Sequence, residues 1–195
     1  PDCAGRVIFW DTALDSKGRV KNEFRCPSCN VMLKKSRMNR AFEAVYDPVL
    51  ETTIERAIRV PVLINYECDS GRLQKEPDQF DKALLAKIAD EPIVDKFPTH
   101  RMPPGDEARR NDKLGMTHVH HFYTRRNLRA LAAYWEIAGS CVATRFLFTS
   151  ALHNCSKLYR FRASGKGGCL SGTLYVCSTP QENSVVDTIG RKVRY

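Results

Sequence analysis

Apolar residues fall in short runs separated by polar and turn-forming ones, and their spacing predicts only a few elements. Phe80, Leu84, Leu85 and Ile88 recur at helical spacing between Pro77-Asp78 and Pro92, which predicts a helix over 79–90. Leu128, Leu131, Ala132 and Trp135 form the stripe of a second helix over 125–137, with Thr124 as its cap and Gly139 as its stop. Gly5 to Trp10, Val60 to Tyr66 with Pro61 near its start, and Ser171 to Val176 read as strands, while Arg145 to Ser150 suits either form. From Phe97 to Gly115, prolines, glycines and charges interrupt every period, so a long loop is expected there. If Thr117 to Tyr123 is strand, His118 and His120 share one face and His121 points the other way. The expected class is α+β: a mixed small sheet with a few helices and an N-terminal zinc-ribbon-like module over 1–40, followed by an α+β domain over 41–195.

Composition narrows this picture. The 195 residues are 43% hydrophobic and 27% charged, ordinary for a globular chain, and no apolar run approaches the ~20 residues of a spanning helix. The first ten residues lack a basic stretch leading into an apolar one, so a cytoplasmic protein with reduced thiols is expected, with no membrane partner. The net charge of +9 is unevenly spread. Residues 47–100 hold 7 Lys/Arg against 11 Asp/Glu, residues 101–129 hold 7 against 3, and residues 145–195 hold 8 against 2. A polyanion or an acidic surface suits such a chain.

Among eight cysteines one pair is closely spaced, Cys26-Pro27-Ser28-Cys29, the spacing with which a tight turn offers two thiolates to one tetrahedral zinc. Cys3 lies where a ribbon's opposing knuckle belongs, one strand and return earlier, which makes Cys3, Cys26 and Cys29 the candidate ligands of a structural zinc. A redox dithiol is the competing reading, but nothing places Cys26 at a helix start in a thioredoxin-like unit. Cys68, Cys141, Cys155, Cys169 and Cys177 are isolated and read as small buried hydrophobes.

Three basic stretches carry candidate nucleic-acid chemistry. Arg101, Arg109, Arg110, Asn111 and Lys113 offer the forked and amide donors that read base edges; a solvated charged loop is the plain alternative. His118, His120, Tyr123, Arg125 and Arg126 gather imidazoles, a phenol and two guanidinium groups at a helix start, where backbone amides favour phosphate; a partly buried strand is the plain alternative. A metal site at these histidines lacks a carboxylate or cysteine at ligand spacing. Lys157 and Arg160, with Tyr159, Phe161, Arg162 and Lys166, interleave charge and aromatic rings. Ser164 to Gly168 lacks the spacing of a P-loop, which argues against nucleotide binding there.

Cys3-Ala4-Gly5-Arg6-Val7-Ile8-Phe9-Trp10-Asp11, Phe24-Arg25-Cys26-Pro27-Ser28-Cys29, the segment Pro98 to Asp106, and above all Gly115-Met116-Thr117-His118-Val119-His120-His121-Phe122-Tyr123-Thr124-Arg125-Arg126-Asn127-Leu128 resemble the central region of bacterial DNA amino-methyltransferases acting on adenine N6 or cytosine N4. Phe148-Thr149-Ser150 and Ser171 to Val176 extend the resemblance over nearly the whole chain. In that family such a region lies between an S-adenosylmethionine-binding half and a half with an Asp/Asn-Pro-Pro-aromatic motif. The resemblance therefore implies a target-recognition segment of a DNA methylase of restriction-modification type, whose partners are double-stranded DNA and a methyltransferase catalytic domain in the parent chain. The chain holds no Phe-x-Gly-x-Gly turn, and its only Pro-Pro follows Met102, so S-adenosylmethionine belongs to the parent and this segment alone is expected to be inactive. The family shows Cys-Pro-x-Cys where this chain begins Pro1-Asp2-Cys3, which implies a fourth ligand ahead of Cys3. Two rivals stand beside this reading: a metal-dependent nuclease of the His-Asn-His type, suggested by His120, His121 and Asn127, and a structural insert without DNA binding.

Overall fold

A computed structural model describes residues 3–165 and 167–194. Lys166, counted with the third basic stretch, lies outside the described residues. The fold is α+β, as the pattern predicts: three separate two-stranded antiparallel sheets and six α-helices among the described residues. The small-sheet part of that expectation takes the form of three hairpins, with no strand among the described residues joining one to another. Among the described residues, no helix is long and apolar enough to cross a membrane.

The N-terminal module has its own core, in which Ala13, Leu14, Phe24, Cys26 and Leu33 are buried and Val7, Phe9, Trp10 and Met38 pack on them. Gly5 to Trp10 is not a strand. It runs extended and then enters the short helix α1 (Phe9–Ala13), which brings Phe9 edge-on to Phe24 at 6.4 Å between ring centroids. A helical turn puts both aromatic rings on the module's core, whereas an alternating strand would send one to each side. The Asp15 carboxylate then accepts the amides of Lys17 and Arg19 and shapes the turn at Gly18 (φ +67°). β1 (Phe24–Arg25) and β2 (Met32–Leu33) close the ribbon around the Cys26–Cys29 turn, with Phe24 and Leu33 inward.

The hairpin of β3 (Phe42–Asp47) and β4 (Thr52–Ala57) carries no strong sequence signal, because residues 42–57 mix charge into an otherwise alternating pattern. Its far end is locked to the middle of the chain: Ala57 N–H donates to Leu114 O at 3.2 Å. A Cβ at Gly115 (φ +73°) would lie 2.0 Å from Glu55 O, so only glycine permits this approach. The third hairpin, β5 (Ile64–Cys68) with β6 (Gly71–Lys75), starts later than the expected strand, leaving Val60 to Leu63 outside it.

α2 (Gln79–Asp90) has the predicted bounds and starts on a capping box, the Asp78 side chain accepting the Phe80 and Asp81 amides. Its apolar stripe is not a core face: Phe80 is 76% and Leu84 55% exposed. Within the expected 97–115 loop lies α3 (Asp106–Asp112), opened by Asp106 and Glu107 and closed by Arg109 and Arg110, a charge order that matches the helix dipole. The punctuation Pro103-Pro104-Gly105 obscures this helix in the sequence. α4 (Arg125–Ala138) has its Thr124 cap on the Asn127 amide and ends at Gly139 (φ +53°). α5 (Val142–Leu152) resolves the ambiguous 145–150 segment as helix, and α6 (Val185–Val193) completes a core of Leu131, Ala151, Cys155, Val185 and Ile189. Ser171 to Val176 is not strand; Val176 is drawn instead into a cluster with Met116, Phe122 and Leu158. Cys155 and Cys177 are buried as expected, but Cys68 and Cys141 are exposed and Cys169 is half-buried.

Candidate functional site

Two side-chain clusters have the composition of a functional centre. In the first, Cys3, Cys26 and Cys29 bring their sulfurs within 4.8 Å of one another. Cys3 Sγ and Cys26 Sγ are 3.7 Å apart. That is far from a disulfide, and it matches the edge of about 3.8 Å between two thiolates each about 2.3 Å from one tetrahedral zinc. The turn is built for sulfur: Asn30 (φ +62°) bends the chain so that its amide reaches Cys26 O, while Cys26 N–H donates to Val31 O. Amides of Cys29, then Ser28, point at Cys26 and lower its thiol to about 7, readying it as a thiolate. At Cys29 the Val31 amide pulls the other way from Cys3 and Cys26, whose proximity keeps that thiol raised. Gly5 passes so close that a Cβ there would meet Ser28 Oγ at 2.8 Å and Cys3 Sγ at 3.1 Å. The three cysteines thus form a group able to hold a metal ion.

The second cluster joins the histidine motif to a residue far away in sequence. Val119–Phe122 is a 3-10 turn rather than strand, so adjacent His120 and His121 point into the same buried space instead of to opposite faces. Both meet Asp47, the last residue of β3: His120 Nε2 is 3.0 Å and His121 Nε2 2.7 Å from its Oδ2. The other oxygen accepts the amides of Val49 and Leu50 and shapes the β3–β4 turn. His121 Nδ1 accepts the amides of Thr117 and His118 at 3.2 and 3.3 Å, which fixes its proton on Nε2, where it is donated to Asp47. A metal on Nε2 would displace that proton and leave Nδ1 needing to face two N–H donors, contrary to the acceptor that metal-bound imidazoles require. Asp47, His120 and His121 are therefore a hydrogen-bond hub that ties the hairpin to the motif. Its carboxyl lies far below the usual range despite burial, through the hydrogen bonds of His121 and then His120; burial, outweighing Asp47, lowers His121. Burial likewise lowers His118.

The structure brings the two middle basic segments together: Met102 N–H donates to Thr117 O and Val119 N–H to His100 O, with Arg101 bridged to His118. It does not make them one exposed cationic face. Arg101 and Arg109 share the Asp112 carboxylate at 3.1 and 3.0 Å, and Arg110 pairs with Glu107 at 2.8 Å. Asn111 is 1% exposed, donating to Glu107 O and Leu174 O, so it cannot reach a base edge. Lys113 is exposed and unpaired among the described residues. His118 is half-buried on Thr117 Oγ1, and His120 is buried on Asp47. Tyr123 packs in two cores, and burial raises its phenol to about 12. Arg125 donates to Glu91 O, Arg126 pairs with Glu182 at 2.9 Å, and Arg129 pairs with Glu91. Lys157 Nζ donates to His121 O at 2.8 Å and Arg160 Nε to Gly168 O at 3.0 Å. Asn127 is buried, holding Cys155 O and Asn183 O, the work of a strut.

The N-terminal module differs. Residues 3–40 hold nine Lys/Arg against three Asp/Glu. Only Arg19 and Lys34 have carboxylate partners, Asp15 and Glu23, among the described residues. Arg6, Lys17, Lys21, Arg25, Lys35, Arg37 and Arg40 are exposed and have none. The signal was available in the sequence, since the count alone exceeds that of 101–129; Asp47 had no such signal, lying 73 residues before His120.

No family model, curated protein or solved structure matches this chain.

Proposed function

We propose that this chain is a DNA-binding target-recognition segment of a site-specific, S-adenosylmethionine-dependent DNA amino-methyltransferase, and that its N-terminal module, stapled by zinc on Cys3, Cys26 and Cys29, makes the main phosphate contacts. The observation that carries the reading is the set of seven exposed cations without carboxylate partners, among the described residues, on the module that also holds the three thiols. Backbone phosphates position such a protein, and the release of their counterions drives association. Zinc would hold the segment at Cys3 and the Cys26–Cys29 turn together; a module this small has little core to do so unaided. The resemblance in residues 115–128 supplies the methyltransferase context. In it, the Asp47–His120–His121 hub serves to hold that motif against β3, and methyl transfer and cofactor binding belong to the parent chain.

The experiment is fluorescence anisotropy of the zinc-loaded chain with a labelled duplex, titrated from low to moderate salt. The expected result is binding whose log affinity falls linearly with log salt. Affinity that ignores salt, or no binding at low salt, contradicts the reading; the latter is what a purely structural insert gives. The insert has one observation in its favour, the internal pairing of Arg101, Arg109, Arg110 and Arg126.

A further inference from the structure

Three cations outside both clusters border one small core without a counterion. Arg59, two residues past β4, meets Met116: its Nη2 lies 3.6 Å from the thioether sulfur, and its Nη1 is buried with no partner among the described residues. Lys157 is anchored by its backbone amide on Phe122 O at 2.7 Å and by Nζ on His121 O. Arg40, exposed, reaches Val176 O and Cys177 O at 3.3 and 3.4 Å. Met116, Phe122 and Val176, with Leu158 next to Lys157, form a single buried cluster, and each of the three residues contacts one of its members: Arg59 at Met116, Lys157 at Phe122 and Arg40 at Val176. None of the three pairs with a carboxylate among the described residues.

Grouped like charges partly withdrawn from water are costly unless something neutralises them. The strain shows in their protonation: burial, reinforced by Arg59 and Arg56, lowers Lys157 to about 7, and burial with Arg40 lowers Arg59 to about 10. A thioether is a weak acceptor, a poor match for a guanidinium group. Planar forks from two arginines and a point charge from a lysine are the donor set that suits the oxygens of a phosphate.

We propose that Arg40, Arg59 and Lys157 form an anion site that takes a phosphate group. The phosphate comes either from a nucleic-acid backbone or from a small phosphate-bearing ligand, and the site does not depend on the DNA reading. Inorganic phosphate is the probe, titrated calorimetrically into the whole zinc-loaded chain at constant ionic strength, with the variants Arg40→Gln and Lys157→Met alongside. Each loses a charge-assisted hydrogen bond, so phosphate affinity should fall about tenfold or more in both. In phosphate-free buffer Lys157→Met should melt at or above the parent temperature, because it relieves repulsion; a merely structural lysine would lower it. Loss of phosphate binding in both variants, with competition by a short duplex, supports the site and assigns its phosphate to the backbone. The same loss without competition supports it and assigns a free ligand. No phosphate binding by the parent chain, or equal binding by all three proteins, overturns it.

Discussion

The N-terminal module and the 101–129 segment are both strongly basic, yet they hold their charge differently. In 101–129, five of the seven cations, Arg101, Arg109, Arg110, Arg126 and Arg129, face a carboxylate, and Arg125 faces a carbonyl. In 3–40, two of nine face a carboxylate. The lesson concerns what a charge count measures. Surface pairs such as Arg110–Glu107 are worth only about 0–1 kcal/mol, but each spends a cation's geometry on the fold rather than on a partner. Available charge is the count less the acids that the fold brings alongside.

The largest way to break the contrast is to remove the proposed zinc staple. Cys26→Ser should abolish stoichiometric zinc and unfold the 3–40 module, seen as lost amide protection there, while protection in α4, α5 and α6 persists because their core of Leu131, Ala151 and Ile189 is separate. A module equally protected without zinc would show its own core to be sufficient.

Asp47→Ala acts on the other region. It strands two buried imidazole N–H groups and two turn amides, so chemical denaturation should show a loss of about 3 kcal/mol. A loss below about 1 kcal/mol would deny the hub its structural part.

A smaller effect follows from pH. His121 is lowered by burial, so the stability it contributes is complete above its ordinary value of 6.5 and is lost as pH falls from there toward the lowered one. Asp47, lowered by its hydrogen bonds, contributes fully above 3.8 and loses that contribution as pH falls further. The urea midpoint should therefore drop between pH 7 and pH 5.5, before carboxylates titrate. A flat midpoint over that interval contradicts the neutral, buried His121. The smallest effect is expected at α2, where Phe80→Ser should change stability by less than about 0.5 kcal/mol because the ring is already in water.

Legibility in the sequence followed the range of the interactions. α2 and α4 were readable because their caps, Asp78 and Thr124, act within three residues and their apolar periods are local. The Cys26–Cys29 turn was readable for the same reason. α3 was hidden by the adjacent Pro103-Pro104-Gly105, and the 3-10 turn by the similarity of a short His/aromatic run to a strand. The hub could not be seen, since Asp47 and His121 meet only through the contact of β4 with Leu114 and Gly115. The pairing of Arg126 was equally invisible, because Glu182 lies 56 residues away, whereas the i,i+3 pairs Arg109–Asp112 and Arg110–Glu107 were hidden only because α3 was.

The most direct test compares two double variants in the salt titration: Lys35→Ser/Arg37→Ser on the module, and Arg101→Ser/Arg110→Ser on the central segment. If the module holds the phosphate contacts, the first pair flattens the log–log slope by up to about 1.8 and weakens binding about tenfold, while the second leaves the slope unchanged. A slope lost with Arg101 and Arg110 and kept without Lys35 and Arg37 would contradict the account and return the contact surface to the middle of the chain.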